Sequence, residues 1–257
     1  MKIYVLVKEV PDTYGDRKLD LETGLAERGG EVVLDEITER ALEVALSYAD
    51  KNPGTEVVAL SMSPESATAS VRRALAIGAA SAVHVVDEQL LGADLGLTAE
   101  TLAAAIRRGE PDLVITGNLS TDGSGGMIPA MLAEHLGFAQ ATALSAVEIA
   151  ETGITGTRAA DAGTQQVTAP LPAVISITEA LPDARFPNFK GIMAAKKKPL
   201  EVLSLADLGV SADPAAAPRT IMTTVSEKPP RAAGVKIVDE GDAAAQLVEF
   251  LVQNRLV

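Results

Sequence analysis

The segment best suited to hold a ligand is residues 116–132, TGNLSTDGSGGMIPAML, which lies between an apolar run and a helix-like run. Its glycines allow the backbone to approach a ligand closely, and its hydroxyl side chains add hydrogen-bonding groups. These residues are Gly123, Gly125, Gly126, Ser120, Thr121 and Ser124. Because backbone N–H groups and the positive end of the following helix suit a phosphate, we predict a phosphate-binding loop. The spacing matches neither a Walker loop nor a dinucleotide fingerprint, so a ligand-free connection is the alternative.

Other site chemistries find little support in the residue types. The chain has no Cys and only two His, which excludes thiol catalysis, disulfides and His-rich metal clusters. His84 lies in an apolar strand-like run and is interpreted as a hydrogen-bonded structural histidine. The acidic residues of 12–22 lack the EF-hand pattern, and no Ser–His–Asp elbow is present. We therefore expect no covalent chemistry, and no enzyme activity, from this chain alone.

Composition and charge indicate a folded, acidic protein. Hydrophobic residues make up 47% of the 257 residues, enough for a sizeable core. The formal net charge of −13 argues against general nucleic-acid binding. Since no apolar run reaches the roughly 18 residues of a membrane span, we expect no membrane insertion and a cytoplasmic location.

Apolar runs and amphipathic runs alternate through the first half of the chain. Strands are predicted at 2–10, 56–63, 81–87 and 111–118, and helices at 35–50, 64–79, 98–110 and 127–137. Such alternation predicts an α/β fold with a doubly wound, mostly parallel, Rossmann-like sheet. The loop 116–132 then lies outside the carboxyl end of a strand, where open α/β sheets bind ligands.

The pattern changes after about residue 143. We predict an added β-hairpin at 146–161, a return strand at 167–177, and an extended C-terminal arm that ends in a helix at 241–254. The expected domains are therefore an α/β nucleotide-binding domain, 1–195, and an arm with a docking helix, 196–257.

Residues 184–202, ARFPNFKGIMAAKKKPLEV, contain half of the four phenylalanines beside three consecutive lysines. This run resembles a signature of electron transfer flavoprotein β subunits. Further landmarks of that family follow the expected order: VLVKEVPD at 5–12, ALEVAL at 41–46, VRRALAIGA at 71–79, LPAVISI at 171–177, DLGV at 207–210 and PPRAAGVKI at 229–237.

The resemblance implies a heterodimer with an α subunit, an adenine-nucleotide-binding type of fold and two cofactors. FAD is held mainly by the α subunit, and an AMP is bound structurally by the β subunit. Electrons arrive from acyl-CoA or other flavin dehydrogenases and leave to a quinone oxidoreductase or another acceptor. A stand-alone nucleotide-binding or nucleotide-hydrolysing module is the competing hypothesis, but it has no need for the lysine-rich segment or the long arm.

The resemblance also assigns a partner-recognition segment, 184–195, that docks into a dehydrogenase through an apolar anchor. The anchor position falls on Phe189. An apolar plug surrounded by charge is typical of an interface hot spot, and a solvated lysine run is the alternative. The docking residues implied are Arg185, Phe186, Phe189, Ile192, Met193, Lys196, Lys197 and Lys198.

Carrying the AMP site over by position gives a partial match. The family's first-strand contact falls on Leu6, its second-strand contact on Met62, and its Asn-Pro-Phe-Asp segment on Asp35, Glu36, Ile37 and Thr38. The loop contacts fall on Gly117, Asn118, Leu119, Ser120, Thr121, Asp122, Gly123, Ser124, Gly125, Gly126, Met127 and Ile128. Ile128 replaces the family's phosphate-facing Thr, but backbone N–H groups could still hold a phosphate, so AMP is the favoured ligand and a second FAD or an empty site are the alternatives.

Overall fold

Short runs rich in β-branched residues form a nine-stranded sheet, and a separate pair of strands lies beside it. The computed structural model describes residues 1–215, 217, 219–231 and 233–257. The strands are β1 Lys2–Leu6, β2 Glu9–Pro11, β3 Val32–Leu34, β4 Glu56–Met62, β5 Ser81–Val85, β6 Leu113–Gly117, β7 Ala139–Ile149, β8 Gly153–Ala160, β9 Gly163–Pro170, β10 Ala173–Ile177 and β11 Leu200–Leu203. The helices are α1 Glu36–Lys51, α2 Thr68–Ile77, α3 Leu95–Gly109, α4 Ile128–Leu136, α5 Phe189–Ala195, α6 Leu205–Leu208 and α7 Ala243–Gln253.

The strand order in the large sheet is β11-β5-β4-β1-β6-β10-β7-β8-β9. The seven strands from β11 to β7 are parallel, and β8 and β9 extend the sheet in antiparallel fashion. The chain builds outward from β1 through β4 to β5, and then crosses back to place β6 on the other side of β1. The predicted doubly wound, mostly parallel sheet is therefore confirmed, with its switch point between β1 and β6.

Helices cover both faces of the parallel strands. Leu42 of α1 and Leu75 of α2 are buried in one core together with Ile3 and Val5 of β1. Ile106 of α3 and Leu132 of α4 are buried in a second core on the opposite face. Alternate residues of each strand supply the two cores, which is why the central strands consist of nearly continuous apolar runs.

Two predicted strands are divided in the structure. The run 2–10 forms β1 and then β2, which leaves the main sheet and pairs with β3 through Val10 and Val33. The return strand 167–177 is wrong as a single element, because β9 pairs with β8 whereas β10 lies between β6 and β7. Pro172 stands between β9 and β10, and a proline has no N–H group with which to continue a ladder.

The chain divides into two compact units, Met1–Thr224 and Val225–Val257. The first unit contains β11 and α6, so the residues just beyond 195 add an edge strand to the main sheet. The second unit contains α7, which agrees with the predicted final helix. A functional boundary after residue 195 stays a prediction. Among the described residues, no helix is long and apolar enough to cross a membrane.

Candidate functional site

The predicted ligand loop lies at the switch point of the sheet. Gly117 is the last residue of β6, Leu6 the last of β1 and Met62 the last of β4, and these three residues are half-buried at one edge. The register of the parallel strands aligns their carboxyl ends, so residues 117–128 begin where open α/β sheets bind ligands.

Internal hydrogen bonds give the loop its shape. The Ser120 carbonyl accepts a bond from the Ser124 N–H at 2.9 Å, and the Ser120 hydroxyl accepts one from the Gly123 N–H at 3.2 Å. The Asn118 side chain accepts from the Leu119 N–H at 2.9 Å. The hydroxyl of Ser120 is therefore already used within the loop.

Asp35 ties the loop to the N-terminus of α1. Its carboxylate is buried, and Oδ2 accepts hydrogen bonds from Thr121 N–H at 2.9 Å and Thr121 Oγ1 at 3.3 Å. The other oxygen, Oδ1, is buried and has no hydrogen-bond partner among the described residues. A buried carboxylate oxygen without a donor is costly, so the hydrogen bonds at Oδ2 have to offset that cost.

Asp122 lies between two cations. Lys8 Nζ donates to Asp122 Oδ1 at 2.7 Å, and Arg28 Nη2 lies 3.4 Å from Oδ2. Burial alone would raise the pKa of Asp122, but the hydrogen bond and charge of Lys8, helped by Ser120 and Arg28, hold that pKa below its ordinary value. The carboxylate is thus ionised, and its negative charge is balanced by Lys8 and Arg28, so that it repels a nearby anion less.

The C-terminal half of the loop offers unused donors. Within the described ranges, the backbone N–H groups of Gly125, Gly126, Met127 and Ile128 donate to no protein acceptor. Gly126 has a positive φ of +64°, a conformation that favours glycine. A Cβ at Gly125 would meet only the side chain of Leu95, at 3.7 Å. Four free N–H groups at the start of α4 form a donor set that fits a phosphate.

The remaining predicted nucleotide residues surround this loop in different ways. A Cβ at Gly117 would lie 2.7 Å from Ile37 Cγ2, so Ile37 packs directly beneath the strand end. The Thr38 hydroxyl donates to the Asp35 carbonyl at 2.7 Å and stabilises the first turn of α1. Glu36 is exposed on α1, and Leu119 and Met127 are exposed on the loop.

Sequence reasoning missed the cations that hold the loop. Lys8 follows the end of β1. Its place at the carboxyl edge of a central strand was the one feature of the sequence that could have indicated a position near the ligand loop. Arg28 and Arg17 lie in the irregular segment between β2 and β3, and Arg17 donates to the Thr121 carbonyl. No sequence pattern links either arginine to a loop about a hundred residues away.

His84 has the structural role expected of it. It is fully buried in β5, and its Nε2 lies 2.9 Å from Ser63 Oγ and 3.1 Å from the Ser63 carbonyl oxygen. Burial lowers the pKa of the imidazole. Within the described part of the chain, no group of three or more His, Cys, Asp or Glu residues is placed to hold a metal ion.

The predicted docking segment forms an exposed apolar turn followed by α5. The side chains of Phe186 and Phe189 are 89% and 79% exposed, and Ile192 and Met193 of α5 are also exposed. These four side chains form what we call the apolar face. Lys196 and Lys197 project from the next turn into solvent.

The third lysine of the run behaves differently. Lys198 Nζ donates to the carbonyls of Leu75 at 2.8 Å and Ala79 at 2.6 Å, at the end of α2. Burial lowers the pKa of this ammonium. Its contacts are those of a helix C-terminal cap.

Comparisons with known proteins identify the family of the chain. The sequence profile described as "Electron transfer flavoprotein domain" matches residues 23–208. The electron transfer flavoprotein subunit beta of Mycobacterium bovis is 46% identical, and that of Syntrophomonas wolfei is 35% identical. These alignments cover 99% of both chains for the first protein, and 98% of this chain and 96% of the relative for the second. The caffeyl-CoA reductase-Etf complex subunit CarD of Acetobacterium woodii is 31% identical over 100% of both chains.

Proposed function

Because this chain belongs to the electron transfer flavoprotein family as a β subunit, we propose that it carries electrons from flavin dehydrogenases to a quinone oxidoreductase or another acceptor. The family implies an α-subunit partner and a flavin in the heterodimer. In this proposal FAD, held mainly by the α subunit, accepts and releases the electrons. This chain supplies a structural nucleotide site and a docking surface.

AMP is the proposed ligand of the loop 117–128. The observation that carries this proposal is the set of four free N–H groups at Gly125–Ile128. They replace the hydroxyl lost at Ile128, since backbone donors at a helix N-terminus bind a phosphate without side-chain help. Leu6 and Met62 at the strand ends offer apolar surface to the base.

Two of the three cations near the loop, Lys8 and Arg28, pair with Asp122, and the third, Arg17, donates to the Thr121 carbonyl. We therefore assign the phosphate to backbone donors. Lys8 and Arg28 both contact the Asp122 carboxylate, which largely balances their positive charge and leaves little of it to attract a ligand. A mononucleotide with one phosphate fits such a site better than a triphosphate, whose charge would need additional free cations. The charge balance of the site therefore favours AMP over a nucleotide-hydrolysing role.

Mass spectrometry of the nucleotide released by denaturing the purified heterodimer tests the proposal. We expect one AMP per heterodimer, and a content below about a tenth of that in Gly125→Val, because the added side chain occupies the space beside the free N–H groups. Gly30→Val is the matched control, since a Cβ at Gly30 meets nothing within 4 Å. Release of a second FAD, or of no nucleotide, from the unaltered heterodimer would overturn the AMP assignment.

The apolar face is the proposed docking site for dehydrogenases. Phe186 and Phe189 are exposed in a protein with only four phenylalanines, and such exposure of large aromatic side chains favours a binding role. Lys196 and Lys197 lie beside the face and would speed encounter with acidic partners. The name of the Acetobacterium woodii relative places that protein in a complex with a CoA-linked reductase, which agrees with a partner of this kind.

A further inference from the structure

Arg185 begins the docking segment, yet its guanidinium is directed toward α1. Nε donates to Glu43 Oε2 at 2.8 Å, and Nη2 donates to Glu43 Oε1 at 2.8 Å. Nη2 also donates to Asp50 Oδ2 at 2.8 Å, and the backbone N–H of Arg185 reaches Glu43 Oε2 at 3.0 Å. We propose that Arg185 is a positioning residue, which holds the apolar face in its docking conformation through Glu43 and does not itself contact the dehydrogenase.

The electrostatics of this contact leave Arg185 little to offer a partner. A planar guanidinium that meets a carboxylate through two parallel N–H bonds forms the strongest class of ion pair in proteins. The Glu43 carboxylate is mostly buried and also accepts from Ser47 Oγ at 2.9 Å. Arg185 faces two carboxylates, so its positive charge is already balanced, in contrast to the exposed Lys196 and Lys197.

A second arginine fixes the chain just before Arg185. Arg40 of α1 donates to the Leu181 carbonyl and pairs with the Asp183 carboxylate. Positions 40, 43 and 50 lie on one face of α1, because successive separations of three and seven residues stay on one side of a helix. One helix face therefore binds residues 181–185 through Arg40, Glu43 and Asp50.

The far end of the segment is fixed by α2. A Cβ at Gly191 would lie only 2.5 Å from the Ala76 carbonyl oxygen, so the backbone of α5 packs directly on α2. Arg72 Nη1 donates to the Ala195 carbonyl at 3.0 Å, and Asn188 caps the first turn of α5 by accepting from Gly191 N–H at 2.8 Å.

Fixing both ends of the docking segment keeps its apolar side chains exposed and ordered, as a docking surface requires. Four exposed apolar side chains on a free loop would collapse onto the protein, or would lose conformational entropy when a partner ordered them. Attached at Arg185 and at Gly191, the apolar face is ordered before the partner arrives. The inference rests on the proposed docking role. It predicts that loss of Arg185 weakens docking only because the apolar face becomes less ordered.

Chymotrypsin provides a partner-free test of the order of the segment. The Phe186–Pro187 bond resists the protease because proline follows, which leaves Phe189–Lys190 as the reporter bond. In the heterodimer we expect Arg185→Ala and Glu43→Gln to raise the cleavage rate at this bond about tenfold, and Arg185→Lys to raise it less. Arg108→Ala is the matched control, since its pair with Glu201 is exposed on α3. Cleavage in Arg185→Ala at the rate of the control would overturn the inference.

A double-mutant cycle then separates positioning from direct contact. With a purified acyl-CoA dehydrogenase as the reductant, Arg185→Ala should raise the KM for the flavoprotein several-fold at unchanged kcat. In a Phe189→Ala background it should have almost no further effect, because the side chain that it positions is gone. Fully additive effects would show that Arg185 contacts the partner and would refute the inference. If Phe189→Ala alone left KM unchanged, the proposed docking role would fail, whatever the chymotrypsin result.

Discussion

The exposed side chain of Phe189 allows the strength of docking to be worked out in advance. Burying a whole Phe side chain is worth about 1.5–3 kcal/mol, and 79% of this one is available to a partner. Truncation to Ala should therefore cost about 1.2–2.4 kcal/mol of association free energy. With 1.4 kcal/mol per factor of ten, the KM for the flavoprotein should rise roughly 7- to 50-fold.

The assay follows acceptor reduction by a purified acyl-CoA dehydrogenase at increasing concentrations of the heterodimer. Phe189→Ala should raise KM and leave both kcat and the visible flavin spectrum unchanged, because Phe189 is exposed on the surface of α5 and lies outside the ligand loop 117–128. Leu91→Ala is the matched control, since Leu91 is another exposed apolar residue, outside the docking segment. An unchanged KM, or an altered flavin spectrum with normal partner kinetics, would refute the reasoning.

Of three further predictions, two concern the ligand loop and one concerns Lys198 at the end of α2. Asp122→Asn should lower the free energy of unfolding at pH 6, and the difference from the unaltered protein should shrink as the pH falls below about 3.8. The reason is that the ionic contribution of a carboxylate with a depressed pKa is lost on protonation. Urea titrations at several pH values measure this difference, and a difference that did not change with pH would contradict the prediction. Gly117→Ala should lower the free energy of unfolding by about 1–3 kcal/mol through the clash with Ile37, and Gly30→Ala should leave it unchanged. Urea unfolding of both variants measures these changes. Lys198→Ala should lower stability by about 1 kcal/mol and leave the KM for the dehydrogenase unchanged; a raised KM would instead favour a direct role in docking.

Most of the parallel core could be predicted because its signals are local. The apolar runs of β4, β5 and β6 and the amphipathic pattern of α1 each determine their own element. The order of these elements then determines the switch point and the location of the glycine loop. The small pair β2–β3 and the edge strand β11 escaped prediction, because each depends on partners distant in sequence, such as Val33 for Val10 and His84 for Val202.

The candidate site shows the same limit. The glycines of the loop were visible in the sequence and the family resemblance pointed to Asp35, whereas the cations Lys8 and Arg28 approach the loop only through the folded chain. Likewise the family resemblance placed Arg185 and Lys198 among the docking residues. Only the structure reveals that the first contacts Glu43 and that the second caps α2.

The most direct test of the central claim is purification of this chain co-expressed with a candidate α subunit, followed by anaerobic mixing with a substrate-reduced acyl-CoA dehydrogenase. We expect a yellow heterodimer whose flavin absorbance is bleached by the reduced dehydrogenase. A colourless protein that purifies without the α subunit and hydrolyses ATP would contradict it.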